Sequence, residues 1–411
     1  MLSAVRGVFL SSLLATSYGP FTGRTSAPPS RTGGSSLIGI LEPQATPTPT
    51  PAPVIMDFLD TVYSVPENSG SVLITVVRSG DASVAATVQY ATQDGTASHL
   101  SDYNLEWGTI RFAGGQTSKT FLVFVTDDGY VENNETIALK LTNPSGGTPF
   151  LGSRTEAVLT IGDNDSITPA TNIIDNERFF VRQQYVDFLN REPDDGGLDY
   201  WSGQIAQCGA NLNCLSRRRA DVSAAFFVEQ EFQQAGYFVY RLILTSTGHQ
   251  PVYPQYIRGR TEVIAGTDLG SSQLAYAEEV VNPAYNGLSN EGYVDELFTN
   301  ASITPSPSER TALIVGLNGT PPTETRASVL IKIANHDTLV QREYNAAFVL
   351  AQYFNYLQRD PDVGGYDFWL NVLNNREPNN YSGMVCAFIT SDEYQRRFAS
   401  VISRTNGNCG P

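Results

Sequence analysis

The chain has 411 residues, with 42 Asp+Glu against 26 Lys+Arg and a formal net charge of −16. That length supplies two or three domains with real cores, and the acidic balance repels phosphate backbones, which excludes general nucleic-acid binding and favours cations. No apolar run approaches the roughly 18 residues that a membrane-spanning helix needs, so no transmembrane span is expected.

Residues 1–22 set Arg6 ahead of an apolar stretch from Val8 to Ala15 and read as a signal peptide. Residues 23–54 are rich in Ser, Thr, Gly and Pro and end in ATPTPTPAP, an extended linker that buries no core. From Ile55 the period becomes two. SVLITVVRSG, ATVQYATQDG, GTIRFAGG, TSKTFLVFVTDDG, ETIALKLTNPSGG and EAVLTIGDND are β-rich runs bounded by Gly, Asp, Asn or Pro. With MDFLDTVYSV they make seven expected strands, the spacing of an antiparallel β-sandwich over 55–166. In KTFLVFV, Phe121, Val123 and Val125 alternate with Leu122 and Phe124, so both faces are apolar and the run reads as a central strand.

Beyond a linker at 167–176 the period turns helical, and a mainly α-helical domain is expected over 177–405. FVRQQYVDFLNREPDDGGLDYW (180–201) matches FVLAQYFNYLQRDPDVGGYDFW (348–369), and AFFVEQEFQ (225–233) matches AFITSDEYQ (387–395). This is an internal repeat of a helix–turn–helix unit, with copies at 180–233 and 348–398. In the R-x-P-D-x-G-G turn, Pro193 and Pro361 set φ, the glycines permit φ > 0, the Asp residues cap the next helix, and Trp201 and Trp369 pack on the first. A functional reading would make Asp194, Asp195 and Asp199 a small cation site, or Tyr200 and Trp201 a sugar platform. Each already has a local structural job. Four cysteines occur without CxxC spacing; their placement favours Cys208–Cys214 and Cys386–Cys409 among the three connectivities that four cysteines allow.

Acidic residues gather in the turns of the β-region: Glu67 in VPENSG, Asp102 in SDY, Asp127, Asp128 and Glu132 in TDDGYVE, and Asp163 and Asp165 in DND. Ca²⁺ takes roughly six to eight oxygen ligands from loops that can flex, and a sandwich gathers loops at its ends. Crowded carboxylates without a cation raise one another's pKa and cost stability. Acidic residues are also good turn formers, which explains any one of them singly.

The ordered motifs DGTA, DY, GTI, DD...E..E and DND closely resemble the Calx-beta domain over nearly all of 55–166. The resemblance implies an immunoglobulin-like all-β sandwich. It also implies Ca²⁺ ligands at Glu67, Asp102, Asp127, Asp128, Glu132, Asp163 and Asp165, with the Tyr130 carbonyl as a backbone ligand. Two positions depart from the calcium-binding members: Asn164 is the middle of the terminal acidic triplet, and Gly129 stands where the exchangers carry a third aspartate. Fewer ions or lower affinity is the consequence expected. The helical repeat resembles the DUF4214 family, carried by DFLNREPDDGGLDYW and NYLQRDPDVGGYDFW, and this identifies no ligand.

Only three histidines occur, and no GxSxG, HExxH, GxxxxGK[ST] or helix-opening GxGxxG motif is present. The expectation is a non-enzymatic Ca²⁺-binding structural or adhesion protein, secreted or held at a bacterial cell surface, with a surface protein or glycan as partner. The alternative is a carbohydrate or cell-envelope binding module in which the sandwich is a spacer. A hydrolase with an unrecognised carboxylate pair is the third reading.

Overall fold

The computed structural model describes residues 52–167, 170–266 and 268–409; the expected signal peptide and the linker as far as residue 51 lie outside the described residues. Alternating apolar residues produce β1 (Val54–Phe58), β2 (Val62–Pro66), β3 (Ser71–Gly80), β4 (Ala86–Asp94), β5 (Trp107–Phe112), β6 (Ser118–Phe124), β7 (Glu135–Ser145), β8 (Pro149–Leu151) and β9 (Glu156–Gly162). They form two facing sheets, in the orders β6-β3-β1-β8 and β2-β9-β7-β4-β5. Met56, Ile74 and Val76 of one sheet and Val88, Ile110, Leu139 and Leu159 of the other fill the core. Tyr90 and Phe121 stack between the sheets with ring centroids 3.8 Å apart.

Two expectations about the strands need correction. The run MDFLDTVYSV is not one strand: β1 pairs with β3 in the first sheet and β2 with β9 in the second. That split and the three-residue β8 give nine strands among the described residues rather than seven. A strand that changes sheets keeps its alternation, so the pattern conceals the crossing. The crossing also introduces parallel pairs, β1 with β8 and β2 with β9, into an otherwise antiparallel sandwich. The second correction concerns KTFLVFV. It becomes β6, an edge strand. Its far end is covered by the loop before β5, where Asn104 N donates to Phe124 O at 3.0 Å and Tyr103 bridges to Val125. The open edge is thus closed by a loop, and apolar residues on both faces did not require two flanking strands.

The first repeat copy folds as α1 (Glu177–Leu189), α2 (Asp195–Ala206), α3 (Leu212–Val228) and α4 (Gln230–Gln234). Connecting helices follow: α5 (Gly236–Thr247), α6 (Tyr253–Ile264), α7 (Leu269–Val280), α8 (Asn290–Asn300), α9 (Pro307–Asn318), α10 (Arg326–Ala334) and α11 (Asp337–Arg342). The second copy is α12 (Tyr344–Tyr356), α13 (Val363–Asn371), α14 (Tyr381–Ile389) and α15 (Asp392–Gln395). The cysteines form the disulfides Cys208–Cys214 and Cys386–Cys409.

The repeated motif is explained by equivalent contacts in both copies. Asp194 caps α2 by accepting from Gly197 N at 2.9 Å, and Asp362 caps α13 by accepting from Gly365 N at 2.8 Å. Arg191 forms a two-pronged pair with Glu231 (2.7 and 2.8 Å) and lies over the Tyr185 ring. Arg359 does the same with Glu393 (2.5 and 2.9 Å) over Tyr353. Trp201 packs on Phe226 and Trp369 on Phe388. The motif glycines, however, do not take positive φ; that conformation falls earlier, on Asn190 (φ 49°) and Gln358 (φ 53°). Gly197 and Gly365 are required by close approach instead, since a methyl group at either would collide with the hydroxyl of Tyr185 or Tyr353.

The helical region lies against the sandwich across a polar contact. Arg111 of β5 pairs with Glu262 of α6 at 2.6 Å and with Glu279 of α7. Buried Glu106 meets Asn190 and Thr261, each at 3.4 Å; burial pushes its carboxyl up to about 7 against the pull of Arg260.

Substituting Gly197→Ala should lower stability by about 1–3 kcal/mol, because Tyr185 is pinned between Arg191 and Phe226 and has no room to yield. Gly203→Ala, on the exposed face of the same helix with nothing nearby, should raise it by about 0.5–1 kcal/mol. Urea unfolding of both variants checks the pair of signs.

Candidate metal centre

Strand register brings the acidic turns together. Pro66 and Gly162 are partners in the parallel β2–β9 pair, so the next residues, Glu67 and Asp163, emerge side by side. Asn164 N donates to Glu67 Oε1 at 3.2 Å across this junction. The bridge between Tyr103 and Val125 does the same for the other loops, and Thr126 N donates to Asp102 O at 2.9 Å. The result is two triads, Glu67/Asp163/Asp165 and Asp102/Asp128/Glu132. Within each, one carboxylate oxygen per residue lies within 4.8 Å of the others. Oxygens at that separation can share one ion at bond lengths of about 2.4 Å.

Backbone amides hold the carboxylates in place. Ser98 N donates to Asp102 Oδ2 (2.7 Å), Tyr130 N to Asp128 Oδ1 (2.8 Å), and Glu132 N and Asp165 N to the two oxygens of Asp163 (2.7 Å each). The Glu132–Asp163 bond ties one triad to the other. Even so, the charges are poorly tolerated. Burial pushes Glu67 up to about 8, with Asp163, Asp127 and Asp165 adding repulsion against the Asn164 amide. Burial likewise pushes Asp128 up to about 8, reinforced by Glu67, Glu132 and Asp102. Glu132 and Asp127 are raised by burial too.

The donor set fits a hard divalent cation. It consists of carboxylate oxygens on loops, without a sulfur or imidazole ligand in either triad. Asp165 Oδ2 is shielded from solvent and accepts no hydrogen bond, so it is free to ligate a cation. An open cleft of about 500 Å³, lined in part by Asp128, Asp165, Asn172 and Asp175, reaches both triads.

Six of the residues singled out from sequence thus sit in the triads. Asp127 lies beside them, sharing a side-chain hydrogen bond with Asn164 and close to Asp165 and Arg182. Tyr130 flanks the second triad, and its phenol points away to donate to Arg396 O at 3.0 Å. Asn164 commits its side-chain oxygen to Asn68 N (3.2 Å), and Gly129 donates its amide to Phe398 O (2.9 Å). The sequence reading passed over Glu135, the first residue of β7. Its carboxyl is pushed up to about 8 by burial, by a shared hydrogen bond with Asp102 and by repulsion from Asp102, Glu132 and Glu67. The second glutamate of the DD...E..E order was the available signal. In the repeat, Asp194 is a helix cap and Asp199 pairs with Arg178, while Tyr200 is 58% exposed beside Trp201.

The Calx-beta domain model matches residues 51–165, and the model described as a domain of unknown function (DUF4214) matches 170–235 and 323–398. The sodium/calcium exchanger Calx of Drosophila melanogaster is 37% identical over 112 residues, 27% of this chain and 12% of the exchanger. Extracellular matrix protein 3 of Lytechinus variegatus is 35% identical over 115 residues, 26% of this chain and 4% of that protein. The chain therefore spans only a small part of these relatives. The crystal structure of the apo-form Calx CBD1 domain aligns with 27% of this chain and 98% of its own at 38% identity, with a TM-score of 0.27. The chain carries, in order, a Calx-beta domain homologous to those of the sodium/calcium exchangers and a DUF4214 region.

Proposed function

We propose that the loop end of the sandwich binds Ca²⁺, one ion in each triad, and that the chain works as a non-catalytic, Ca²⁺-dependent structural or adhesion protein outside the cytosol. The observation that carries the reading is the convergence of three carboxylates in each of two triads, with Glu67 and Asp128 both pushed up to about 8. Bound Ca²⁺ would replace that repulsion with coordination and stiffen the loops into a surface for a cell-surface protein or glycan. The names of the relatives, sodium/calcium exchangers and an extracellular matrix protein, agree with a calcium-linked and extracellular setting. Two disulfides support an oxidising compartment.

Calorimetric titration of the purified chain with Ca²⁺ tests the reading. Saturable heat is expected, with stabilisation of about 3 kcal/mol per occupied site at a hundredfold excess over Kd. Asp127→Asn/Asp128→Asn should remove the share of both that belongs to the Asp102/Asp128/Glu132 triad and leave that of Glu67/Asp163/Asp165. Absence of heat and of any thermal shift in the unmodified chain would refute it.

The same groups predict a pH profile. A carboxyl whose folded pKa is raised stabilises the fold below its unfolded pKa, and that contribution is lost as pH rises through the folded value. In chelator, the melting temperature should therefore fall between about pH 4 and pH 8 as Glu67 and Asp128 ionise. Melts at matched ionic strength should show this fall shrinking in Asp128→Asn and in saturating Ca²⁺.

A further inference from the structure

Two of the loops that carry the triads are held by the helical region, and the chain beyond Asp165 runs into it. The turn that begins with Glu67 ends at Gly70, whose carbonyl accepts from Arg182 Nη2 of α1 at 3.0 Å. The loop holding Asp128 and Glu132 is gripped twice: Gly129 N donates to Phe398 O at 2.9 Å, and the Tyr130 phenol donates to Arg396 O at 3.0 Å. The chain leaving Asp165 is pinned at buried Asn172, whose Nδ2 donates to Gln395 O and Val401 O, both at 2.9 Å. Three of these four grips land on one short segment, 395–401, which begins at the last residue of α15. That segment is itself anchored, because Arg397 inside it pairs with buried Asp187 of α1 at 3.1 Å and donates to Tyr356 O at 2.9 Å.

We propose that Ca²⁺ binding in the triads and docking of segment 395–401 onto the ligand loops are thermodynamically linked. The helical region then sets the affinity of the site, and Ca²⁺ in turn fastens the helical region to the sandwich. The physical basis is the short tether between grip and ligand. Gly129 is adjacent to Asp128, and Tyr130 N donates to Asp128 Oδ1 while its phenol holds Arg396. Restricting these residues from either side removes conformational entropy that the other event would otherwise have to remove. The coupling is reciprocal, as any linkage of two equilibria must be. The inference rests on the Ca²⁺ reading above and adds to it a regulatory role for the helical region.

Hydrogen–deuterium exchange of the full chain with and without Ca²⁺, alongside calorimetry on the same preparation, tests the linkage. Ca²⁺ should slow exchange in the peptide covering 395–404 as well as in the ligand loops. Tyr130→Phe leaves the backbone carbonyl in place but loses the grip on Arg396, and it should weaken Ca²⁺ binding by about threefold or more. Calorimetric binding with slowing confined to the sandwich loops, or with unchanged affinity in Tyr130→Phe, would overturn the linkage and leave the Ca²⁺ site standing. No Ca²⁺ heat at all would overturn both.

Discussion

A buried ion pair, Asp187 with Arg397, lies where the sandwich, the first helix and the C-terminal segment meet. Its side chains are 0% and 4% exposed. Burial works against the Arg397 charge, and the Asp187 carboxylate more than offsets it, holding the guanidinium above its usual range. Asp187 also accepts from Gln183 Nε2 of its own helix (2.8 Å) and from Asn104 Nδ2 of the sandwich (3.3 Å). Arg260 of α6 donates to its carbonyl. Removing one partner of such a pair strands a charge in low dielectric, at a cost of about 3–5 kcal/mol. An apolar pair could stabilise as well, but it would not fix the direction of the carbonyls on either side of Arg397. Those carbonyls, from Arg396 and Phe398, are the ones that hold the acidic loop.

The acidic centre and the buried pair handle charge in opposite ways. At Asp187 the carboxylate is met by amides and a guanidinium inside the protein. In the triads the nearest charges are other carboxylates, and the backbone amides that hold them supply direction without a compensating full charge. The fold accepts this because the triads sit in loops whose positions are dictated elsewhere, by the β2–β9 register and the Tyr103–Val125 bridge. The strands carry the energetic cost of assembling like charges, which leaves the loops poised for a divalent cation.

The helical repeat shows how a specific motif can be wholly occupied by structure. Its Arg stacks on a Tyr and grips a Glu, its Asp caps a helix, and its second Gly makes room for the Tyr hydroxyl. The second copy repeats each contact. Sequence alone suggested glycine in positive φ, since that is the usual reason for a Gly-Gly turn. The reason proved to be steric, and it involves a residue twelve positions away that only packing brings near.

The sequence by itself determined the alternation that makes the sandwich, the repeat that makes the paired helical units, and the identity of most acidic loop residues; it favoured one disulfide pairing among three, which the structure selects. All of these depend on neighbours along the chain or on a motif order that survives as a pattern. Tertiary structure alone decided that MDFLDTVYSV changes sheets, that KTFLVFV lies at an edge, and that segment 395–401 grips the acidic loops. Each of those outcomes is a contact between distant parts of the chain. Local periodicity records which face of an element is apolar, and carries no information about which partner, loop or charge comes to cover it.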